Sequence, residues 1–250
     1  MIDQFLNKVA TMPPVSLAEL DSVALQNRID SKYVLNEDGL MALMPCLSDN
    51  YKVLSINGLR SFTYENNYFD TKDLLFYKDH HNGYVNRIKV RSRKYVESNL
   101  CYFEIKKKEK VNRTNKHRVS LDKIASEINN EKQDLVQSFT RKNLNDLKLI
   151  LKNNFKRITF VNNDFTERVT IDFNLQFSDS SNEVNLDTII VLEIKQSKST
   201  QESPLVTFLR KSNTRENSFS KYIFGVISLH PEMKKNNFLP IIKNLTKIQK

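Results

Sequence analysis

Side chains alternate across a β-strand, so residues two apart share a face. The stretch R-I-K-V-R-S-R therefore puts Arg87, Lys89, Arg91 and Arg93 on one face and Ile88 and Val90 on the other. The same alternation sets Glu104, Lys106 and Lys108 against Cys101, Phe103 and Ile105, and Arg168 and Asp172 against Val169, Ile171 and Phe173. Glu193 and Lys195 oppose Ile190, Leu192 and Ile194, while Arg28, Asp30 and Lys32 share one face of a further segment. One such strand is an ordinary solvated face. Several of them, most carrying both signs, predict a sheet whose apolar side is covered by helices and whose charged side lines an interior. Cations two residues apart lie ~6.6 Å from each other, so Arg87 to Arg93 would line roughly 20 Å of channel. Such an interior is costly unless water or an anion fills it. The spacing suits a short chain of phosphates better than a single one.

Glycine narrows the chemistry further. The chain of 250 residues has only Gly39, Gly58, Gly83 and Gly225, too scattered to write a Walker loop or a dinucleotide fingerprint. A phosphate site here must be built from side chains. Cys46 and Cys101 lie far apart and form no zinc pair or disulfide framework, and His80, His81, His117 and His230 make no H-E-x-x-H. The formal net charge of +10 favours an anionic partner. The basic run Lys106 to Lys110 puts only Lys106 and Lys108 on the lumen face and mixes with acids, so nucleic acid is not expected. No run approaches 18 apolar residues and the start lacks a signal-peptide order, so a soluble cytoplasmic chain is expected.

The elements that must hold these faces read as α+β with an antiparallel sheet, in one domain over 1–250. Ile2, Phe5, Leu6 and Val9 have helical spacing up to Pro13-Pro14, Ser16 can cap a second helix, and 37–47 reads as a third, ended near Pro45. Tyr51 to Arg93 is mostly strand with a helical interruption at Asp70 to His80. The stripe Leu121, Ile124, Ala125, Ile128, and then Leu144, Leu147, Leu151 after Asn143, predict two or three helices over 120–154. Strands follow at 155–178 and 184–198, a helix at 204–213, a strand at Lys221 to Ile227, and a final amphipathic helix on Phe238, Ile241, Ile242 and Leu245.

With these faces laid out, the chain resembles the vacuolar transporter chaperone (VTC) domain, a branch of the triphosphate tunnel metalloenzymes, from about Leu25 to Ile227. The anchors are R-I-D-S-K-Y (28–33), Y-F-D-T-K-D-L-L-F-Y (68–77), R-I-K-V-R-S-R-K-Y (87–95), F-E-I-K (103–106), K-H-R (116–118), K-R-I-T-F (156–160), R-V-T-I-D (168–172), L-E-I-K (192–195) and S-K-Y (220–222). Each is weak alone; together and in order they are specific. The resemblance implies an eight-stranded barrel tunnel that binds the triphosphate of ATP and a divalent metal, Mn²⁺ or Mg²⁺. It also implies that polymerising members move the γ-phosphate onto polyphosphate.

Carried over by motif, Arg91, Arg93, Lys106, Arg168 and Lys221 would be catalytic cations. Lys32, Arg87, Lys89, Lys116, Arg118, Arg157 and Lys195 would bind phosphate, and Glu193 would be the metal ligand. The motifs leave open the choice between Lys116 and Arg118, and between the pair Arg87 and Lys89 and the pair Arg91 and Arg93. Asp30 stands where many members carry Glu. A separate membrane partner is compatible with the resemblance, which leaves the oligomeric state open. The readings to separate are an ATP-dependent polyphosphate polymerase, a tripolyphosphate or nucleoside-triphosphate hydrolase, and a non-catalytic polyphosphate- or inositol-phosphate-binding module.

Overall fold

The alternating segments pair into one sheet. The structure, a computed structural model, describes residues 1–22, 28–110, 113–144, 146–197 and 203–248. In chain order the elements are α1 (Ile2–Thr11), β1 (Pro14–Val15), α2 (Leu17–Ser22), β2 (Arg28–Leu35), α3 (Glu37–Ala42), α4 (Met44–Asn50), β3 (Tyr51–Leu54), β4 (Phe62–Thr71) and α5 (Leu75–His81). Then follow β5 (Ile88–Tyr95), β6 (Leu100–Lys110), β7 (Arg113–Leu121), α6 (Asn130–Ser138), β8 (Leu147–Asn162), β9 (Glu167–Ser178), β10 (Glu183–Leu186) and β11 (Ile190–Ser197). The chain continues through α7 (Pro204–Lys211), α8 (Lys221–Leu229), a 3-10 turn (Asn236–Phe238) and α9 (Leu239–Ile248). No described helix is long and apolar enough to cross a membrane.

Eight strands form a path β2-β11-β9-β8-β4-β5-β6-β7, with β3 and β10 flanking it and β1 added parallel to β3. The path curls into an antiparallel half-barrel. Among the described residues its end strands, β2 and β7, are not paired to each other. Bulges at Tyr68/Phe69 against β8 and at Asn154/Lys156 against β9 interrupt the ladders, and such irregularities sharpen local twist.

The convex face is apolar and covered. Tyr33, Ile158, Phe160, Ile171, Leu192 and Ile194 pack with Phe5 and Val9 of α1, Leu40 of α3, Leu47 of α4 and Leu205 of α7. Further round, Ile88, Val90, Phe103 and Ile105 pack with Phe76 of α5 and Val136 of α6. Each such side chain contributes roughly 1.5–3 kcal/mol when fully buried. These clusters offset the electrostatic cost of the opposite face.

The concave face changes character along the strands. Val34 and Val191 belong to a cluster with Leu151, Phe155, Leu175 and Phe177, filled by Tyr222, Ile223, Phe224 and Val226 of α8. Two residues along the same faces lie Lys32 and Glu193, which pair with each other. So α8 occupies one end of the trough and leaves the other end polar. Gly225 permits the close approach: a Cβ there would come within 2.6 Å of both Leu151 and Phe177 side chains. Asp70 ties α8 to α5, accepting N–H bonds from Thr71, Phe76 and Tyr77 and a hydrogen bond from the Tyr222 hydroxyl.

Several expectations are corrected. Lys221 to Ile227 is helix, not strand: Ser220 caps it, accepting from Ile223 N, and a helix apolar on all sides is a buried one. Among the described residues of 120–154 there is one helix, α6. Leu121 ends β7, and Ala125 and Ile128 pack on the sheet from a turn whose backbone is held by Asn67 and Ser92 (2.8 and 2.9 Å). Leu147 and Leu151 lie on β8, where the bulge sends Leu147 to the convex cluster and Leu151 to the concave one. That break hid the strand period. Pro45 sits in the first turn of α4 instead of ending a helix, and α3 ends just before it.

Candidate functional site

The polar half of the trough gathers side chains from β2, β11, β9, β8, β5, β6, β7 and the first residue of α8. The alternation in sequence is realised here, because strand pairing places Lys32 opposite Glu193, Lys195 opposite Arg168, Arg157 opposite Asp172, Arg91 opposite Glu104, and Lys89 and Lys116 on either side of Lys106. The charges of Lys32, Lys195, Asp30 and Glu193 act on Lys106, so the two ends of the sheet face each other across the cleft.

Three carboxylates each hold two cations. Glu104 accepts a hydrogen bond from Arg91 Nε at 2.6 Å, and its carboxylate is ion-paired with Arg91 Nη2 at 2.6 Å and with Lys116 at 2.5 Å. Asp172 takes a two-pronged contact from Arg157, at 2.5 and 2.7 Å, and a third from Lys221. Glu193 Oε1 lies 2.7 Å from Lys195 and 3.3 Å from Lys32. Burial by itself pushes these carboxyls up, but their cations outweigh it. Glu104 is brought down to about 2 by Arg91, Arg93 and Lys116, Asp172 is lowered by Arg157 and Lys221, and Glu193 is held well below the usual range by Lys195, Lys32 and Arg157. All three are ionised at neutral pH.

Among the described residues, Lys89 and Arg93 have neutral partners and Lys106 has no ion-pair partner. Lys89 donates to Ser220 Oγ at 2.9 Å, and Arg93 Nε donates to Asn66 Oδ1 at 2.7 Å. Among the described residues no carboxylate pairs with Lys89, Arg93 or Lys106. Burial and the neighbouring Lys106 and Lys32 hold the Lys89 ammonium well below its ordinary value. Lys106, enclosed by the walls yet reached by solvent, is brought down to about 8 by the enclosure and by Lys32 and Lys195, against the opposing pull of Glu193 and Asp30. Lys221 also falls to about 8, through burial and Arg157 against the opposing pull of Asp172. Like charges gathered in this way are relieved when an anion enters.

Aromatic rings frame one side of this charge. Tyr64 stacks on Phe155 and meets Tyr95 edge-on, with centroids 5.1 and 5.0 Å apart. Arg93 and Arg157 lie over Tyr64 at 5.2 and 5.0 Å, and Lys221 lies over Phe155 at 4.4 Å. Such contacts hold cations without cancelling their charge.

Not every expected residue joins the cleft. Arg118 is exposed and stacks on Tyr102 at 4.2 Å, whereas Lys116 engages Glu104. Arg87 precedes β5 and donates to the Tyr84 carbonyl at 3.2 Å. Arg168 donates to the Leu20 carbonyl at 2.5 Å, which ties it to α2. Residues that sequence reasoning passed over are Asn66, Tyr68 and Ser220. Tyr68 OH accepts from Arg91 at 3.4 Å. A neutral amide or hydroxyl within a strand or turn carries no periodic signal, so only the cation it serves marks it.

The carboxylate chemistry bears on a divalent ion. Among the described residues no group of three or more His, Cys, Asp or Glu side chains could hold a metal. A hard cation that keeps its waters and takes substrate phosphates needs only one or two carboxylates. Glu193 meets that need as an ionised group facing the cleft, and Asp30 lies nearby, 3.6 Å from the ammonium of Lys195. The residues thus fit an ion held by a sparse protein ligand set.

Fold and cleft together define a curled-sheet trough with a charge-lined concave face. The profile of the VTC domain matches residues 27–230, and the chain belongs to the VTC domain family. Among solved structures, a candidate adenylate cyclase from Vibrio parahaemolyticus aligns at 12% identity and TM-score 0.47, covering 80% of this chain and 98% of that one. A candidate adenylyl cyclase from Hippeastrum, described as having a dominant triphosphatase activity, aligns at 15% identity and TM-score 0.42, covering 84% and 99%. No curated protein matches the chain.

Proposed function

We propose that the chain is an ATP-dependent polyphosphate polymerase, transferring the γ-phosphate of ATP to a growing polyphosphate chain in the cytoplasm. The observation that carries this is the set of cations without carboxylate partners among the described residues, Lys89, Lys106 and Arg93, set among ion-paired ones in a cleft of the VTC family's fold. Phosphoryl transfer passes through a loose transition state with charge spread over phosphate oxygens, so positioning and charge neutralisation dominate. A terminal phosphate oxygen of the acceptor chain attacks the γ-phosphorus, the bond to the β–γ bridging oxygen breaks, and ADP leaves. The attacking oxygen is already anionic, so no catalytic base is required. The guanidiniums of Arg91, Arg93 and Arg157 present planar donor forks to phosphate oxygens, and Lys32, Lys89, Lys106, Lys195 and Lys221 act as point charges. Lys116, engaged by Glu104 within the cleft, would add a further point charge, and Arg118, Arg87 and Arg168 would guide the polyanion at the margins. A divalent cation, Mn²⁺ or Mg²⁺, bound through Glu193 supplies further neutralisation of phosphate charge.

The test is incubation of the protein with ATP and Mn²⁺, following ADP and phosphate and resolving products on a gel. ADP with a lengthening phosphate ladder is the expected result. Equal ADP and free phosphate without a ladder would replace the reading with hydrolysis, and no turnover alongside tight tripolyphosphate binding would replace it with a binding module.

A further inference from the structure

Among the described residues, the guanidiniums of Arg91, Arg93 and Arg157 lie on the concave face, and their partners differ in kind. Arg91 is held by Glu104 and Arg157 by Asp172, each through charge-assisted bonds. Arg93, only 7% exposed, is held instead by the amide of Asn66. That amide is itself fixed. Asn66 is 1% exposed, and its Nδ2 donates to the Asn153 carbonyl at 3.2 Å, which sets Oδ1 toward Arg93. Asn153 in turn donates to the Gln176 carbonyl at 2.9 Å, so the arrangement spans β5, β4, β8 and β9. Tyr64 and Tyr95 lie beside the guanidinium at 5.2 and 5.9 Å. The carboxylate that acts on Arg93, Glu104, is already bonded to Arg91 and Lys116.

Aspartate has the shape of asparagine, and a carboxylate at this position would make a third ion pair like the other two. The amide instead orients Arg93 and leaves its charge to act on a ligand. Burial and the nearby Arg91 correspondingly weaken the hold of Arg93 on its proton, whereas Asp172 strengthens that of Arg157 against the burial opposing it.

Building on the reading of the cleft as a phosphate-chain site, we propose that Asn66 is a positioning residue that fixes Arg93 through its Nε while leaving the guanidinium charge uncompensated for a phosphate group. The residue acts through Arg93 and touches no substrate itself.

The test is Asn66→Asp, read by titration calorimetry with inorganic tripolyphosphate and by thermal unfolding without ligand. The substitution is expected to weaken tripolyphosphate binding by about tenfold or more, the loss of one charge-assisted contact. The unfolding midpoint is expected to hold, because the new ion pair with Arg93 offsets the Nδ2 bond to the Asn153 carbonyl that the substitution removes. A merely structural Asn66 would move both readouts down together. In an Arg93→Met background, Asn66→Asp is expected to change binding little, the non-additivity of residues that act as a unit. Equal binding by the wild type and Asn66→Asp overturns the proposal, as does an equal loss with and without Arg93. If Asn66→Asp does not fold, Asn66→Ser replaces it: the unaltered charge of Arg93 then predicts a loss of binding smaller than that of Arg93→Met, and an equal loss overturns the proposal. Wild-type protein that binds no tripolyphosphate would instead remove the reading of the cleft on which this rests.

Discussion

Replacing Glu104 with glutamine removes the charge that holds Arg91 and Lys116 and leaves the shape unchanged. The carboxyl sits at about 2 in the fold, against 4.5 for an ordinary glutamate. At ~1.4 kcal/mol per tenfold change in proton affinity, that difference amounts to roughly 3 kcal/mol of stability at neutral pH. A separate route gives a similar size, since removing one partner of a buried ion pair costs about 3–5 kcal/mol. For a chain of this length the thermal midpoint should fall by roughly 6–12 °C. The direction with pH follows from the depressed carboxyl. Its contribution is fully present above 4.5 and is lost as pH falls toward 2, so the variant should lack that part of the wild type's acid transition. The substitution also frees two cations in the cleft, so tripolyphosphate should restore more stability to the variant than it adds to the wild type. At a hundred times the dissociation constant the ligand adds about 2.7 kcal/mol. Urea unfolding at pH 7 and pH 3, with and without tripolyphosphate, measures each part. A Glu104→Gln protein that unfolds within about 0.5 kcal/mol of wild type would refute the reasoning, because that is the range of a solvated surface substitution.

Glu193→Ala should keep tripolyphosphate binding, since Lys32 and Lys195 remain, and should lose ADP release from ATP; unchanged turnover would take Glu193 out of any metal role. Because Lys106 and Lys221 sit at about 8 against an ordinary 10.5, tripolyphosphate affinity should fall from pH 7 to pH 9 as they lose protons. Ligand-free stability should rise between about 8 and 10.5, where the unfolded chain holds protons the fold has released. Calorimetry and urea titration across that range would contradict this if affinity and stability moved together. Gly225→Ala should destabilise by about 1–3 kcal/mol through overpacking against Leu151 and Phe177. Helix propensity alone favours alanine by about 1 kcal/mol, so a stabilised variant would show that the contact yields.

The strands whose charged and apolar residues alternate without interruption were legible in sequence. β5, β6 and β11 each serve two different surroundings with strict period two, and no helix can satisfy that pattern. The elements misread are those where the period breaks or is absent. β8 changes face at its bulge, so Leu147 and Leu151 show a helical spacing, and α8 is buried on all sides, so its β-branched and aromatic residues imitate a strand. The turn at 122–129 is held by Asn67 and Ser92 from other strands, which no local signal announces.

The candidate site divides along similar lines. Sequence by itself determined which side of each strand is charged, that a phosphate ligand must be met by side chains for want of glycine loops, and which motifs belong to the VTC family. Tertiary structure alone decided which cations are neutralised. Arg91 and Arg93 are two residues apart on one face and alike in type, yet one meets Glu104 and the other Asn66. That distinction depends on strand register, and on which neighbouring strand places a carboxylate or an amide beside the guanidinium. Charge type is a property of the residue, whereas the field it contributes is set by partners that lie far away in the chain.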